Sequence, residues 1–187
     1  MSEKTRKRNP KAPRQELPLL EPEARSHSSA EVSLGFQMEQ ALVEASRCLD
    51  CKEPTCNAAC PLNIDIKGFI ARMADGDFAA ASEVLSKHTP FPGVCGRVCQ
   101  YELFCEKACL LGKKLKPVAI GSLERFAADQ SLASGAQAAP VIPKPTGARI
   151  ALVGSGPASL IAAYDLVRQG YRVTIFEGLH ELGGVLA

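Results

Sequence analysis

Residues 48–61 read CLDCKEPTCNAACP and residues 95–109 read CGRVCQYELFCEKAC, and these two stretches hold all eight cysteines of the chain. The spacing in the first is Cys-x2-Cys-x4-Cys-x3-Cys-Pro, and in the second it is Cys-x3-Cys-x5-Cys-x3-Cys. Reducing compartments keep structural disulfides rare, so eight cysteines in 187 residues favour metal or cluster ligation. The short segments around these cysteines therefore decide how the chain folds.

The first stretch indicates iron–sulfur ligation. Two-cluster ferredoxins use a Cys-x2-Cys-x2-Cys-x3-Cys-Pro run whose last cysteine ligates the other cluster. The run at 48–61 has this pattern with one longer gap. By the same logic Cys48, Cys51 and Cys56 hold one cluster and Cys60 crosses to a second. One cysteine of the second stretch then crosses back, and we predict that it is Cys109.

Two other uses of eight cysteines remain open. Two zinc sites need the same number, but zinc knuckles usually combine separate Cys-x2-Cys pairs, a spacing that only Cys48 and Cys51 have. Disulfides are disfavoured because no apolar stretch of signal-peptide length follows the basic N-terminus. The pattern favours clusters over both alternatives. His27, His88 and His180 stand far apart and are predicted not to be ligands.

The composition excludes several classes of protein. The 22 Lys plus Arg against 20 Asp plus Glu give a net charge of +2, which selects neither nucleic acid nor an anionic membrane. With 46% hydrophobic and 22% charged residues, the chain has the composition of a folded domain. No apolar run approaches the roughly 20 residues of a membrane helix. We expect a cytoplasmic protein with no nucleic-acid and no membrane partner.

Four regions follow one another along the chain. We predict an extended basic arm across a partner subunit (1–29), a helical domain (30–133), a linker (134–147) and a truncated βαβ unit (148–187). Ahead of the first cysteine, apolar residues at spacings of three and four predict a helix with one buried stripe: Met38, Leu42, Ala45 and Leu49. Asp65 and Asp77 are predicted N-caps. Residues 78–87 and 122–132 are further predicted helices, and residues 89–93 are a predicted break.

A glycine loop lies between the first strand and the helix of the βαβ unit, predicted at residues 149–153 and 157–169, with a second strand at 171–176. Gly154 permits the turn, and Gly156 lets the backbone approach a pyrophosphate at the helix N-terminus. Glu177 is placed to bind a ribose hydroxyl. The predicted dinucleotide contacts are Gly154, Gly156, Pro157, Ala158, Ser159, Glu177, Gly183 and Gly184. Gly183 and Gly184 favour FAD over NAD as the bound nucleotide. The alternative is a βαβ unit that binds no nucleotide and serves only for packing.

Four segments resemble the glutamate synthase small (β) subunit family: ASRCLDCK at 45–52, CPLNIDI at 60–66, CGRVC at 95–99 and IGSLERF at 120–126. The resemblance extends from about Arg8 to the last residue. It is shared by the flavin subunit of electron-bifurcating ferredoxin:NADP oxidoreductases and by the N-terminal part of dihydropyrimidine dehydrogenase. It implies a mainly α fold: an α-helical ferredoxin-like domain with two [4Fe-4S] clusters, followed by an incomplete Rossmann-type βαβ unit.

The resemblance also implies one cluster held by three cysteines and one oxygen-bearing side chain, a position that falls on Glu124. The second site then consists of Cys60, Cys99, Cys105 and Glu124, with Cys95 as a nearby thiol. The competing assignment uses Cys95 as the ligand and leaves Glu124 as an ordinary helix residue.

The family continues beyond Ala187 with the rest of an FAD domain and an NADPH domain. We therefore expect a fragment or half of a split protein, with its last unit unstable alone. In one interpretation electrons pass from NADPH and FAD through the clusters to the glutamate synthase large subunit or another flavoprotein, and no residue of this chain is catalytic. In the other, the chain is a non-catalytic electron-transfer or docking module.

Overall fold

The computed structural model describes residues 8–135 and 141–187, which fall into two compact units, one within Met1–Gln137 and one within Ala138–Ala187. The first seven residues of the predicted arm and residues 136–140 of the predicted linker lie outside the described residues. The first unit is helical and the second holds a two-stranded parallel sheet. This confirms the mainly α class with a βαβ unit at its end.

The helices of the first unit are α1 (Pro22–Ser26), α2 (Met38–Ser46), α3 (Thr55–Ala59), α4 (Ile66–Ala74), α5 (Phe78–Ser86), α6 (Pro92–Val98) and α7 (Ile120–Ser134), with a 3-10 helix at Leu110–Lys113. In this unit, α7 packs against α2, α4, α5 and α6. Phe126 of α7 meets Phe78 of α5 edge to face, with ring centroids 5.1 Å apart. Aromatic pairs prefer this arrangement. The buried face of α4, which includes Phe69 and Met73, belongs to the same core.

The predicted caps are confirmed. A carboxylate oxygen of Asp65 accepts the Gly68 N–H at 3.0 Å, and one of Asp77 accepts the Ala80 N–H at 3.0 Å. Three short helices were not predicted: α1 lies inside the predicted extended arm, α3 lies within the first cysteine stretch, and α6 begins within the predicted break. Helices of five and seven residues are too short to show an apolar period, so only tertiary contacts reveal them.

The predicted stripe on α2 is wrong in two of its four members. Met38 and Leu49 are exposed, whereas the buried residues of α2 are Ala41, Glu44 and Ala45. Glu44 is buried because it forms an ion pair with Arg47, and a hydrophobic pattern cannot register charged residues that are buried as a pair. The helix itself and its position ahead of Cys48 agree with the prediction.

The described part of the predicted arm, residues 8–29, contacts the chain's own helical unit, whereas the sequence predicted an extended segment lying across a partner. The Asn9 N–H donates to the Ser46 carbonyl at 2.9 Å, and Arg14 pairs with Glu106 at 2.7 Å. Farther along, Leu19 and Ser33 form an antiparallel bridge that encloses the short helix α1. These contacts place the segment on the chain's own helical unit.

The second unit consists of β1 (Arg149–Val153), α8 (Pro157–Arg168) and β2 (Arg172–Phe176), followed by a 3-10 helix at Gly184–Leu186. The strands pair in parallel, from Arg149 opposite Arg172 to Val153 opposite Phe176. Val153 and Phe176 are exposed and no residue of α8 is buried. The predicted elements are confirmed to within one residue at each end. None of the helices in the described ranges combines the length and apolarity needed to cross a bilayer.

Candidate functional site

The first thiol group consists of Cys48, Cys51, Cys56 and Cys109. The cysteines come from four places: just after α2, the following loop, α3, and the residue before the first 3-10 helix. Cys48 interacts electrostatically with Cys51 and Cys109, and Cys56 interacts with Cys48 and Cys109. These interactions connect the three cysteines that the spacing assigned to one site with Cys109, which was the predicted fourth member although it lies far away in sequence.

The second donor group consists of Cys60, Cys95, Cys99, Cys105 and Glu124. Cys60 is the C-cap of α3. Helix α6 carries Cys95 and has Cys99 as its C-cap, and α7 carries Glu124. Electrostatic interactions connect Cys95, Cys99 and Cys105 with both Cys60 and Glu124. Both alternative fourth donors therefore lie in this group: Cys95 interacts with Cys60 and Cys99, and Glu124 interacts with Cys95, Cys99 and Cys105.

Burial makes these thiols reluctant to ionise. Desolvation raises the pKa of Cys56 and of Cys95 to about 11, and it raises the pKa of Cys48, Cys99 and Cys105 as well. Neighbouring thiols and Glu124 add to the shift, because thiolates gathered in one place repel one another. A hydrogen bond with the Thr89 hydroxyl opposes it at Cys95. All eight cysteines are free thiols.

Glu124 carries a buried oxygen with no partner. Its side chain is 8% exposed, and among the described residues its Oε1 is the only buried side-chain nitrogen or oxygen without a hydrogen bond. Desolvation raises the pKa of this carboxyl to about 7. Leaving a buried acceptor unsatisfied costs about 1–3 kcal/mol. A carboxylate beside three thiols fits a ligand position, because an electron-pair acceptor there would satisfy this oxygen.

The close packing of α6 on α7 brings the thiols of α6 to Glu124. Gly96 makes it possible, since a Cβ at that position would lie 2.6 Å from the Arg125 backbone nitrogen. On the outer side, Arg97 donates to both carboxylate oxygens of Asp129 at 2.9 and 3.0 Å. A glycine contact and a two-point ion pair thus fix the angle between the two helices.

The donors of each group interact without converging on one point. Within residues 8–135 and 141–187, no three His, Cys, Asp or Glu side chains approach closely enough to hold a single metal ion.

The glycine loop of the second unit is organised by Ser155. Gly154 has φ +86°, the left-handed conformation that favours glycine, and Gly156 caps α8. The fully buried Ser155 donates its N–H to Glu177 Oε2 at 2.9 Å, and its hydroxyl accepts the Gly183 N–H at 3.0 Å. The same hydroxyl donates to Glu177 and is the main reason that the pKa of this carboxyl falls to about 2.

Five predicted dinucleotide residues meet around this loop. Gly184 lies against Gly156, with a Cβ at Gly184 placed 3.0 Å from the Gly156 Cα. Gly154, Glu177 and Gly183 complete the set, while Pro157, Ala158 and Ser159 lie in the first turn of α8. The sequence reading missed Ser155. The available signal was its position between Gly154 and Gly156, inside the predicted glycine loop.

Comparison with known proteins supports both units. Residues 25–136 match the family model for dihydropyrimidine dehydrogenase domain II, 4Fe-4S cluster, and residues 152–187 match a model for an NAD(P)-binding Rossmann-like domain. The chain is 38% identical over 165 residues to AegA of Escherichia coli (strain K12), covering 88% of this chain and 25% of that protein.

Two further relatives from the same organism confirm the family resemblance. The glutamate synthase [NADPH] small chain is 34% identical over 151 residues, with 81% of this chain and 32% of the relative covered. The NAD-dependent dihydropyrimidine dehydrogenase subunit PreT is 36% identical over 156 residues, with 83% and 38% covered. The chain spans between a quarter and two fifths of the length of these relatives.

Proposed function

The chain belongs to the dihydropyrimidine dehydrogenase domain II, 4Fe-4S cluster family, and from this premise we propose that residues 30–133 relay electrons through two [4Fe-4S] clusters between FAD and a partner redox subunit. The observation that carries the proposal is the arrangement of eight cysteines and Glu124 in two donor groups on one helical unit. The grouping supports two centres rather than one.

Each group offers a complete set of ligands. Cys48, Cys51, Cys56 and Cys109 would hold the first cluster, and Cys60, Cys99, Cys105 and Glu124 the second. A [4Fe-4S] cluster, when bound, supplies one-electron chemistry, and its potential depends on ligand type, burial and hydrogen bonds. The chain holds the donors on and between packed helices, with Cys105 and Glu124 buried and the other cysteines partly exposed. Since metal ligation deprotonates thiols, it would reverse the raised pKa of the buried cysteines.

The choice of Glu124 over Cys95 rests on their present partners. Cys95 forms a hydrogen bond with the Thr89 hydroxyl, whereas Oε1 of Glu124 has no partner. A ligand role gives the buried carboxylate its missing partner and leaves Cys95 as a hydrogen-bonded thiol nearby. A carboxylate among thiolates also changes the charge and donor strength at the centre, which are two of the determinants of its potential.

The second unit contributes half of an FAD site in this proposal. The N-terminus of α8 and the backbone of Gly154 and Gly156 suit a pyrophosphate, and Glu177 suits a ribose hydroxyl. The match to an NAD(P)-binding Rossmann-like domain supports a dinucleotide, and the choice of FAD is part of the proposal. NADPH would then act through regions that the longer relatives contain.

The partner in this proposal is a glutamate synthase large subunit or another flavoprotein. Its support is that the relatives include a glutamate synthase small chain and a dihydropyrimidine dehydrogenase subunit, both named as parts of larger assemblies. We also propose the cytoplasm as the compartment, because free thiols on this scale need reducing surroundings.

The first experiment is to measure iron and acid-labile sulfide, together with visible and low-temperature EPR spectra, on protein reconstituted without oxygen. About eight iron and eight sulfide per chain, with reducible cubane signals, are expected for two [4Fe-4S] clusters. Zinc in place of iron would overturn the proposal. Adding NADPH and an artificial acceptor then distinguishes an enzyme from a relay module, for which no steady turnover is expected.

A further inference from the structure

Lys67, in the first turn of α4, joins two of the segments that carry the first thiol group. Its ammonium donates to the Cys51 carbonyl at 3.0 Å and pairs with Asp50 Oδ1 at 3.1 Å. Its backbone N–H donates to Asn57 Oδ1 at 3.1 Å. One residue therefore holds the loop of Cys51 and the helix α3 in a fixed relation.

Asn57 extends this connection to a thiol. Its Oδ1 accepts a hydrogen bond from Cys56 Sγ at 3.7 Å, and its amide nitrogen donates to Asp65 Oδ1 at 3.0 Å. Asp65 is the N-cap of α4, so the start of that helix, the amide and the thiol form one hydrogen-bonded unit. The backbone of Lys67 is thereby fixed relative to Cys56, while the Cys51 carbonyl and Asp50 hold its ammonium.

The surroundings of Lys67 weaken solvent screening. Lys67, Asp50, Arg8 and Cys48 line one small cavity of about 20 Å³. The side chains of Lys67 and Asp50 are 34% and 26% exposed, and Arg8 pairs with the second oxygen of Asp50. Charges that are partly buried interact more strongly than charges in bulk water. After desolvation and the neighbouring thiols, the charge of Asp50 also raises the pKa of Cys48, and Lys67 reaches the same group through the Cys51 carbonyl.

We infer that Lys67 raises the reduction potential of the centre held by the first thiol group, and that Asp50 opposes it. Reduction adds one negative charge to that centre, so a nearby fixed cation stabilises the reduced form and a nearby carboxylate destabilises it. The inference rests on the proposed function, because it requires a redox centre among these thiols. Lys67 is thus a positioning residue that also acts through its charge.

The test compares two neutral substitutions in the same ion pair, Lys67→Gln and Asp50→Asn. Glutamine retains a donor for the Cys51 carbonyl, and asparagine tolerates the left-handed backbone of Asp50, where φ is +53°. EPR-monitored redox titration of the reconstituted chain should show opposite shifts of one couple, downward for Lys67→Gln and upward for Asp50→Asn. A purely structural role would move both variants in the same direction.

The expected shift is roughly a threefold to tenfold change in the ratio of reduced to oxidised centre at a fixed potential. A tenfold change corresponds to about 59 mV for a one-electron couple. The matched control is Lys52→Gln, which removes an equal charge from an exposed lysine next to Cys51. It should change the same ratio less than about twofold, since exposed charges are screened.

The outcomes separate this inference from the proposed function. Wild-type protein without about eight iron per chain overturns the proposed function itself. Wild-type protein with full iron, but with neither variant shifted or both shifted in one direction, overturns only the inference. Should Lys67→Gln lose iron, Asp50→Asn decides: an upward shift supports the inference and an unchanged couple overturns it.

Discussion

Glu44, in the last turn of α2, and Arg47, the C-cap of that helix, form a fully buried ion pair with Arg47 Nη1 2.6 Å from Glu44 Oε1. Arg47 also donates to the carbonyls of Ala12, Lys116 and Pro117, at 2.9, 2.6 and 3.1 Å. Glu44 accepts the N–H of Gln15 at 2.7 Å and of Ala119 at 2.8 Å. The pair therefore ties the N-terminal segment and the approach to α7 onto the helix that ends beside Cys48.

Arg47→Met is expected to destabilise the first unit strongly. It leaves the Glu44 carboxylate buried without its cationic partner and the carbonyls of Ala12 and Lys116 without a donor, whereas the Pro117 carbonyl keeps its bond from Arg14. Breaking a buried pair in this way costs about 3–5 kcal/mol. Chemical denaturation of the chain measures the loss. Arg72→Met, on the exposed side of α4, is the control and should change stability by less than about 0.5 kcal/mol. Equal losses in both variants would contradict the assigned role of the pair.

Gly96→Ala is expected to separate α6 from α7. The new Cβ would lie 2.6 Å from a backbone atom of Arg125, which cannot move aside as a flexible side chain could. Overpacking of this kind costs about 1–3 kcal/mol and should also lower the iron bound after reconstitution. Gly93→Ala on the same helix is the control, because its Cβ would meet Ala128 at an ordinary 3.5 Å. Similar iron content and stability in both variants would rule out the close contact.

Glu124→Ala is expected to reduce bound iron and to change the EPR signal of one centre, because it removes the proposed fourth donor. Cys95→Ala should retain about eight iron per chain and both signals. The two variants affect neighbouring side chains in the same donor group, so each is the control for the other. The reverse result, with iron lost only in Cys95→Ala, would assign the ligand to Cys95.

Glu177 should remain ionised down to strongly acidic pH. Its pKa falls from an ordinary 4.5 to about 2, so its contribution to the glycine loop is complete above about pH 4.5 and is lost as the pH falls through 2. Carbon-13 NMR of the labelled carboxyl measures this titration. Ser155→Ala should raise the pKa because the serine hydroxyl is the largest cause of the shift, whereas Ser159→Ala should leave it unchanged. An unchanged titration in Ser155→Ala would contradict the hydrogen bond.

Much of this fold could be predicted, because the contacts that determine its helix caps and its glycine turn join residues close together in sequence. Asp65 and Asp77 cap their helices through contacts three residues away, and the glycine turn and paired strands follow from nearby residues. Glu44 and Arg47 could not be predicted as core residues, because their burial depends on carbonyls about 70 residues away. The short helices α1, α3 and α6 were not predicted because five to seven residues are too few to show an apolar period.

The candidate site shows the same division between local and distant contacts. Spacing alone suggested that Cys48, Cys51 and Cys56 belong together, and the structure brings Cys109 to them from the far end of the second stretch. Glu124 was predicted as a ligand from the family resemblance alone, because no pattern in the neighbouring sequence distinguishes it from an ordinary helix residue. Its unpartnered oxygen is visible only after α6 and α7 have packed.

The helix α3 links the two donor groups directly. Cys56 lies within it and belongs to the first thiol group, while Cys60 caps its C-terminus and belongs to the second donor group. Four residues of helix correspond to a rise of about 6 Å. Pro54 and Pro61 flank this single turn on either side and restrict its backbone. Electron passage between the groups would thus need no conformational gate, and we expect its rate to be insensitive to solvent viscosity.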